Sequence, residues 1–168
     1  MKNIDSYPNI DYENIAQTLR KEILHHHLFV DRKMIKGCSI QEINKLEQEN
    51  NVVFPESYKT FLKYFGHGLG GYVMGDIVFL YNEISGLTDY LRNEELIYEQ
   101  DPILPINAFV FAMRNYEQYM FFDASGIEKE PPILSYKENE SKFVEVGKSI
   151  WDIIKMEINF AKKLKNKS

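Results

Sequence analysis

The stretch from Ser39 to Gly71, SIQEINKLEQENNVVFPESYKTFLKYFGHGLGG, leaves the chain the least choice of structure. Ser39 followed three residues later by Glu42 makes a capping box, in which each side chain satisfies a backbone N–H that a helix start leaves unpaired. Ile40, Ile43 and Leu46 then recur at helical spacing, with Glu42, Lys45 and Glu49 on other faces. Asn50 and Asn51 predict a stop and a turn, because their side chains compete for backbone hydrogen bonds and tolerate left-handed φ. Val52, Val53 and Phe54 return as a short apolar lead-in. Pro55, with no N–H and a preset φ, suits the first position of a second helix. Tyr58, Phe61, Leu62 and Phe65 make that helix's buried stripe, and Gly66 is expected to end it in a left-handed conformation. The segment reads as two helices at a tight corner, followed by a glycine-rich bend into a strand.

The flanking sequence extends this corner into a sheet. Upstream, Asp11 is placed as the cap of a first helix, with Ile10 and Ile15 as a hydrophobic staple and Ile15, Leu19 and Ile23 along one face. This helix, an added cover or an oligomer contact, runs into His25, His26 and His27. Asp31 to Gly37 reads as a connector. Downstream, Tyr72–Met74 and Ile77–Tyr81 read as strands, with Gly75-Asp76 as a hairpin turn or a bulge. Thr88–Glu99 reads as a helix with Leu87, Leu91 and Leu96 inward, and Pro102 and Pro105 bracket an extended link. Ala108–Met113 and Gln118–Asp123 predict a central antiparallel hairpin whose nearly continuous apolar runs need both faces covered, or one face against a partner. Ile133–Tyr136 and Lys142–Val146 predict a weaker hairpin. Ser149 is the expected cap of a last helix with Trp151 as a core anchor, or as the border of a groove. The fold class is α+β: a mostly antiparallel twisted sheet packed against several helices in one layer pair. Residues 1–36 read as a helical extension and 37–168 as the α+β domain, together one folding unit.

At 168 residues, the chain can bury roughly 70% of the surface it exposes when unfolded. Its 44% apolar content excludes a disordered class. No run approaches the ~20 apolar residues of a membrane helix, and MKNIDSYPNIDYEN lacks the apolar core of a signal peptide. The single cysteine, Cys38, excludes an internal disulfide framework. These features predict a cytoplasmic protein. The net charge of −5 is uneven. Residues 155–168 carry +4, whereas Asp76–Asp101 holds seven acids against Arg92 alone. An acidic body repels nucleic acid and attracts a basic partner, although a charge run is also an ordinary solvated face.

No constellation assembles a nucleophile, a base and an oxyanion donor, so no enzyme activity is expected. Three consecutive histidines point about 100° apart on a helix, and they read as an exposed helix end rather than a metal site. His67 is the only other histidine, with no Cys or acidic ligand pattern beside it in sequence. The glycines from Gly66 to Gly71 follow a helix and open a strand, the reverse of a phosphate loop, and serve backbone freedom. Cys38 precedes a capped helix whose dipole would lower its pKa, but a small buried hydrophobe is the favoured reading.

The helix ending in Leu46-Glu47, the block Phe54, Pro55, Tyr58, Phe61 and Leu62, and the bend from Gly66 to Gly71 together resemble the SUKH superfamily. Phe54 stands where the family usually has Leu, and His67-Gly68-Leu69-Gly70-Gly71 replaces the usual Asn-Gly-Gly; both keep the physical property needed. The resemblance covers about thirty residues. Its founding members are yeast cell-wall assembly regulators, and many bacterial members are toxin-immunity proteins. It implies a non-catalytic protein that binds a basic toxin domain, such as a nuclease, by occlusion; from the residues themselves no cofactor and no metal are expected. The alternative it implies is a regulatory or scaffolding module. The protein would be a monomer or a homodimer, with contacts expected at Asp76, Glu83, Asp89, Glu94, Glu95 and Asp101.

Overall fold

The structure is a computed structural model that describes residues 10–126 and 128–167. The part of the expected helical extension that falls on residues 1–9 lies outside the described residues. The chain runs α1 (Tyr12–His25), β1 (Ile35–Lys36), α2 (Ile40–Asn50), α3 (Glu56–Phe65), β2 (Gly68–Leu69) and β3 (Ile77–Val78). It continues with α4 (Leu87–Tyr90, extended by a wide π turn over Leu91–Glu95), β4 (Ala108–Arg114), β5 (Gln118–Asp123), β6 (Ile133–Lys137), β7 (Val144–Gly147) and α5 (Ile150–Lys165). β3 to β7 form an antiparallel meander in chain order, and β1 pairs with β2 in a separate ribbon. This is the α+β fold that the sequence predicts.

α2 forms as expected at both of its ends, whereas Gly66 closes α3 in the right-handed region, at φ −60°, and not left-handed as expected. The capping box at Ser39 and Glu42 is complete, and Asn51 closes α2 at φ 51°. Glu47 joins the two helices: its Oε1 accepts from the Phe54 N–H at 2.7 Å and lies 3.0 Å from Lys59 Nζ. Two further details differ. Pro55 sits at the cap position before α3, not at its first residue, which is the ordinary uncertainty of one residue at a helix end. Ile40 stays exposed, so Ile43 and Leu46 alone carry the inward face of α2.

α3 packs its rings on the sheet. Phe54 lies 4.7 Å from Phe109 and Tyr58 lies 5.1 Å from Phe122, centroid to centroid. Each buried ring of this kind contributes about 1.5–3 kcal/mol relative to exposure, so this cluster dominates the core. Trp151 of α5 is buried and meets Phe61 edge-on at 6.4 Å, the core anchor that the sequence suggests. α1 is capped by Asp11, whose Oδ1 accepts from the Asn14 N–H at 2.9 Å, while the staple partner Ile10 remains exposed. Its Ala16, Leu19 and Ile23 are buried, and α1 packs against both α3 and α5. Lys162 pairs with Glu22, and Lys165 Nζ donates to the carbonyls of His26 and His27.

The sheet is covered on two sides. Phe122 faces α3, and side chains alternate along a strand, so Tyr119 points to the other face. There Tyr90 of α4 lies 6.5 Å from it. The expected single layer pair is therefore corrected: α4 adds cover to the second face, which explains why β4 is buried from Ala108 to Met113. A bulge between Val110 and Ala112 interrupts the β4–β5 register, and the Val110 N–H there donates to Thr88 Oγ1 at 3.0 Å.

Tyr72–Met74, expected as a strand, is a run of turns. Met74 takes φ 56° and the chain coils, with Val73 and Met74 buried as plugs. Only Ile77 and Val78 of the next expected strand pair, opposite Arg114 and Met113. Beyond them the Tyr81 N–H turns back to the Gly66 carbonyl at 2.8 Å. Gly70 shows what the glycine bend is for: its φ is 98°, and a Cβ there would lie 2.7 Å from Phe29 Cβ. At the start of α5, Ser149 holds the cap position without a side-chain hydrogen bond, and Asp152 Oδ2 accepts from the Lys148 N–H instead.

Candidate protein-binding face

α4 begins after Gly86 at φ 84°, and Leu87 and Leu91 bury its inner side against β4. The following turn is wide: the Leu96 N–H reaches the Leu91 carbonyl at 3.0 Å. A π turn advances the chain by an extra residue, which turns Glu95 inward toward the tyrosines of the sheet. Its carboxylate beside the Tyr90 hydroxyl raises that phenol above its ordinary range. Burial, reinforced by Glu95, raises Tyr119 as well. Tyr136 is raised by burial and by the carboxylates of Asp101 and Glu95. Glu95 and Asp101 therefore act on one group of rings, and both are only half-exposed.

Residues 96–107 fold over this edge rather than forming a simple link. The Tyr98 N–H donates to Asp101 Oδ2 at 2.8 Å, and the Asp101 N–H returns to the Tyr98 carbonyl at 3.0 Å. Arg92 Nη2 donates to the Pro105 carbonyl at 3.0 Å and ties the loop to α4. Leu104 is buried and pins the middle. Its neighbours are left outside: Ile103 is 92% and Ile106 83% exposed, with Ile97, Tyr98 and Tyr116 also outward. Scattered apolar side chains on a surface are ordinary, but Ile97, Tyr98, Ile103 and Ile106 on one tethered loop resemble the apolar part of an interface.

Of the six acids expected as contacts, the structure brings four to this edge. Asp89, Glu94 and Glu95 lie on α4 and its π turn, and Asp101 lies in the loop they hold. Glu83 is exposed in the turn that precedes α4. Asp76 is differently placed: its Oδ2 lies 3.1 Å from Arg114 Nε, and Arg114 also meets the buried Glu157 at 2.9 Å. That carboxylate belongs to an ion-paired network joining the β3 edge, β4 and α5. The aliphatic residues of the edge were missed by counting charges. The signal was present in PILPIN, where three aliphatics crowd around two prolines in a segment too short to bury all of them.

A second convergence was also missed. His67 has no acid or cysteine beside it in sequence, but its Nε2 lies 2.9 Å from Glu42 Oε1. Cys38 Sγ completes a group in which the three donor atoms all lie within 4.8 Å of one another. Burial, with Glu42 close by, pushes the Cys38 thiol up to about 12, so the helix dipole does not activate it. His25, His26 and His27 stay exposed at the end of α1, as expected.

The SUKH_6 family, described as SMI1-KNR4 cell-wall, matches residues 40–152, from the first residue of α2 to the first turn of α5. No curated protein matches the chain.

Proposed function

The chain belongs to the SUKH_6 family, and from that premise we propose that it is a non-catalytic immunity protein whose α4 edge binds and occludes a cognate toxin domain. The family includes toxin-immunity proteins and acts through protein–protein contact. The observation that carries the reading is the pair Ile103 and Ile106, exposed on either side of the buried Leu104, in a loop that carries Asp101 and that Arg92 ties to the acid-bearing α4. Apolar side chains of this kind supply affinity once desolvated, and acidic charge speeds encounter with a basic partner. A nuclease domain, itself basic to hold phosphate, has the matching charge. Among the described residues no helix is long and apolar enough to cross a membrane. The protein acts in the cytoplasm in this reading, alone or as a homodimer, with residues 1–36 and 37–168 working as one unit.

Co-expression with the product of the neighbouring toxin gene tests the proposal. Growth is expected to be rescued, and the two chains to co-elute on a sizing column. Ile103→Asp is expected to abolish both effects while leaving the circular dichroism spectrum unchanged. Absence of rescue and of a complex for the unaltered chain would sink the immunity reading. A pull-down yielding signalling proteins, with no toxin gene adjacent, would instead support a regulatory scaffold using the same edge.

A further inference from the structure

We propose that Cys38, Glu42 and His67 form a site for one divalent metal ion of the zinc type, with an open fourth position toward solvent. The proposal is independent of the protein-binding reading. The three residues come from three places in the chain: the residue before the α2 cap, the first turn of α2, and the bend after α3. The fold nevertheless sets Sγ, a carboxylate oxygen and an imidazole nitrogen within 4.8 Å of one another. That donor set suits zinc, which takes thiolate, imidazole and carboxylate in tetrahedral sites. Bonds of about 2.0–2.3 Å place tetrahedral donors about 3–4 Å apart, so closure requires a movement of about 1 Å.

Each donor is held by other contacts. The Cys38 N–H donates to the Leu62 carbonyl at 2.8 Å, and Gly66 leaves room for the sulfur, since a Cβ there would lie 2.4 Å from Sγ. The His67 N–H donates to the Lys36 carbonyl at 2.9 Å, and the ring stands edge-on to Tyr81 at 5.5 Å. Glu42 divides its two oxygens. Oε2 accepts from the Ser39 N–H and hydroxyl, while Oε1 faces His67. An outer hydrogen bond that orients a ligating carboxylate is the usual support of a metal site. Cys38 is buried, whereas Glu42 and His67 are partly open to solvent. A histidine–glutamate pair alone accounts for two of the three residues; a metal accounts for the thiol beside them. An ion here would fasten the start of α2 to the bend after α3.

Cobalt(II) is the direct probe, added to the purified full-length chain after chelator treatment. One ion per chain is expected, with a thiolate-to-cobalt charge-transfer band that zinc abolishes by displacement. Cys38 is the sole cysteine, so the band has one possible source. Cys38→Ser should remove the band, and His67→Ala should weaken zinc binding more than about 100-fold, beyond the 10–100-fold that an outer partner costs. Replacing His25, His26 and His27 together by alanine should leave band and affinity unchanged. If Cys38→Ser does not fold, the spectrum of the unaltered chain and the His67→Ala titration decide. No charge-transfer band, or unchanged zinc affinity in His67→Ala, overturns the site.

Discussion

Gly66 shows how one atom can decide a residue. A glycine after a helix suggests a left-handed cap, yet Gly66 is right-handed, at φ −60° and ψ −21°. Its side chain is excluded by the Cys38 sulfur and by the Leu62 carbonyl, 2.8 Å from where a Cβ would stand. Gly66→Ala should therefore cost about 1–3 kcal/mol, measured by denaturant unfolding. Cys38→Ala in the same chain should return much of that loss, since the two sites share one space. An equal cost in both backgrounds would refute the steric account. Glu42 gives a pH test of the capping box. Hydrogen bonds from the Ser39 backbone and hydroxyl, with His67 adding to them, hold its carboxyl at about 2 instead of 4.5. A depressed carboxylate stabilises the fold fully above its unfolded pKa, and that contribution is lost as pH falls through the folded value. Thermal midpoints should thus decline between about pH 5 and pH 2, with a shallower decline in Glu42→Gln. Glu130 has the opposite sign: burial raises it, although Ser57 and Tyr12 donate to its carboxylate. Its contribution grows as pH falls.

Among elements, the junction of β4 with α5 rests on charge. Arg114 at the end of β4 reaches both Asp76 and Glu157, and the Glu157 side chain is only 7% exposed. Removing one partner of such a pair leaves a carboxylate desolvated without compensation. Arg114→Ala should cost about 3 kcal/mol by calorimetry or denaturant unfolding. Arg114→Met combined with Glu157→Leu should recover most of it, because two apolar side chains also avoid the desolvation penalty. If the double variant is no more stable than Arg114→Ala, the cost lies in lost packing and not in the orphaned charge. The same junction explains why Asp76 cannot be counted with the acids of the α4 edge. A sequence count sees seven acids and one base between Asp76 and Asp101, but Arg114 lies outside that window.

At the scale of the molecule, the charge is segregated. α4 and its loop carry five acids against Arg92 alone, and the last turns of α5 carry Lys162, Lys163 and Lys165. A basic partner approaching the acidic edge would be steered, and steering between exposed charges is screened within about 10 Å at 0.1 M salt. Association with the proposed toxin partner should therefore slow as salt rises. Asp89→Asn with Glu94→Gln should lower the association rate more than it raises dissociation, whereas Ile103→Asp should act mainly on dissociation. Stopped-flow mixing separates the two. Neither change should shift the thermal midpoint appreciably, since exposed substitutions usually stay within ±0.5 kcal/mol. Salt-independent association would remove the electrostatic half of the account.

The amino-acid sequence by itself determined the α+β class, the capped corner from Ser39 to Phe65, the β4–β5 hairpin and the ring-rich core. Each of these depends on local propensity or on a hydrophobic period, and such signals are complete within ten or twenty residues. It also carried the SUKH resemblance, which lies in that same corner. Tertiary structure alone decided what depends on distance across the chain. It coiled Tyr72–Met74, where Val73 and Met74 are buried as plugs and not paired in a strand. It put Arg114 beside Asp76 and Glu157, left Ile103 and Ile106 outside a pinned Leu104, and brought His67 to Glu42 and Cys38. No local pattern encodes those meetings, since the space between the elements is set only when the whole core packs.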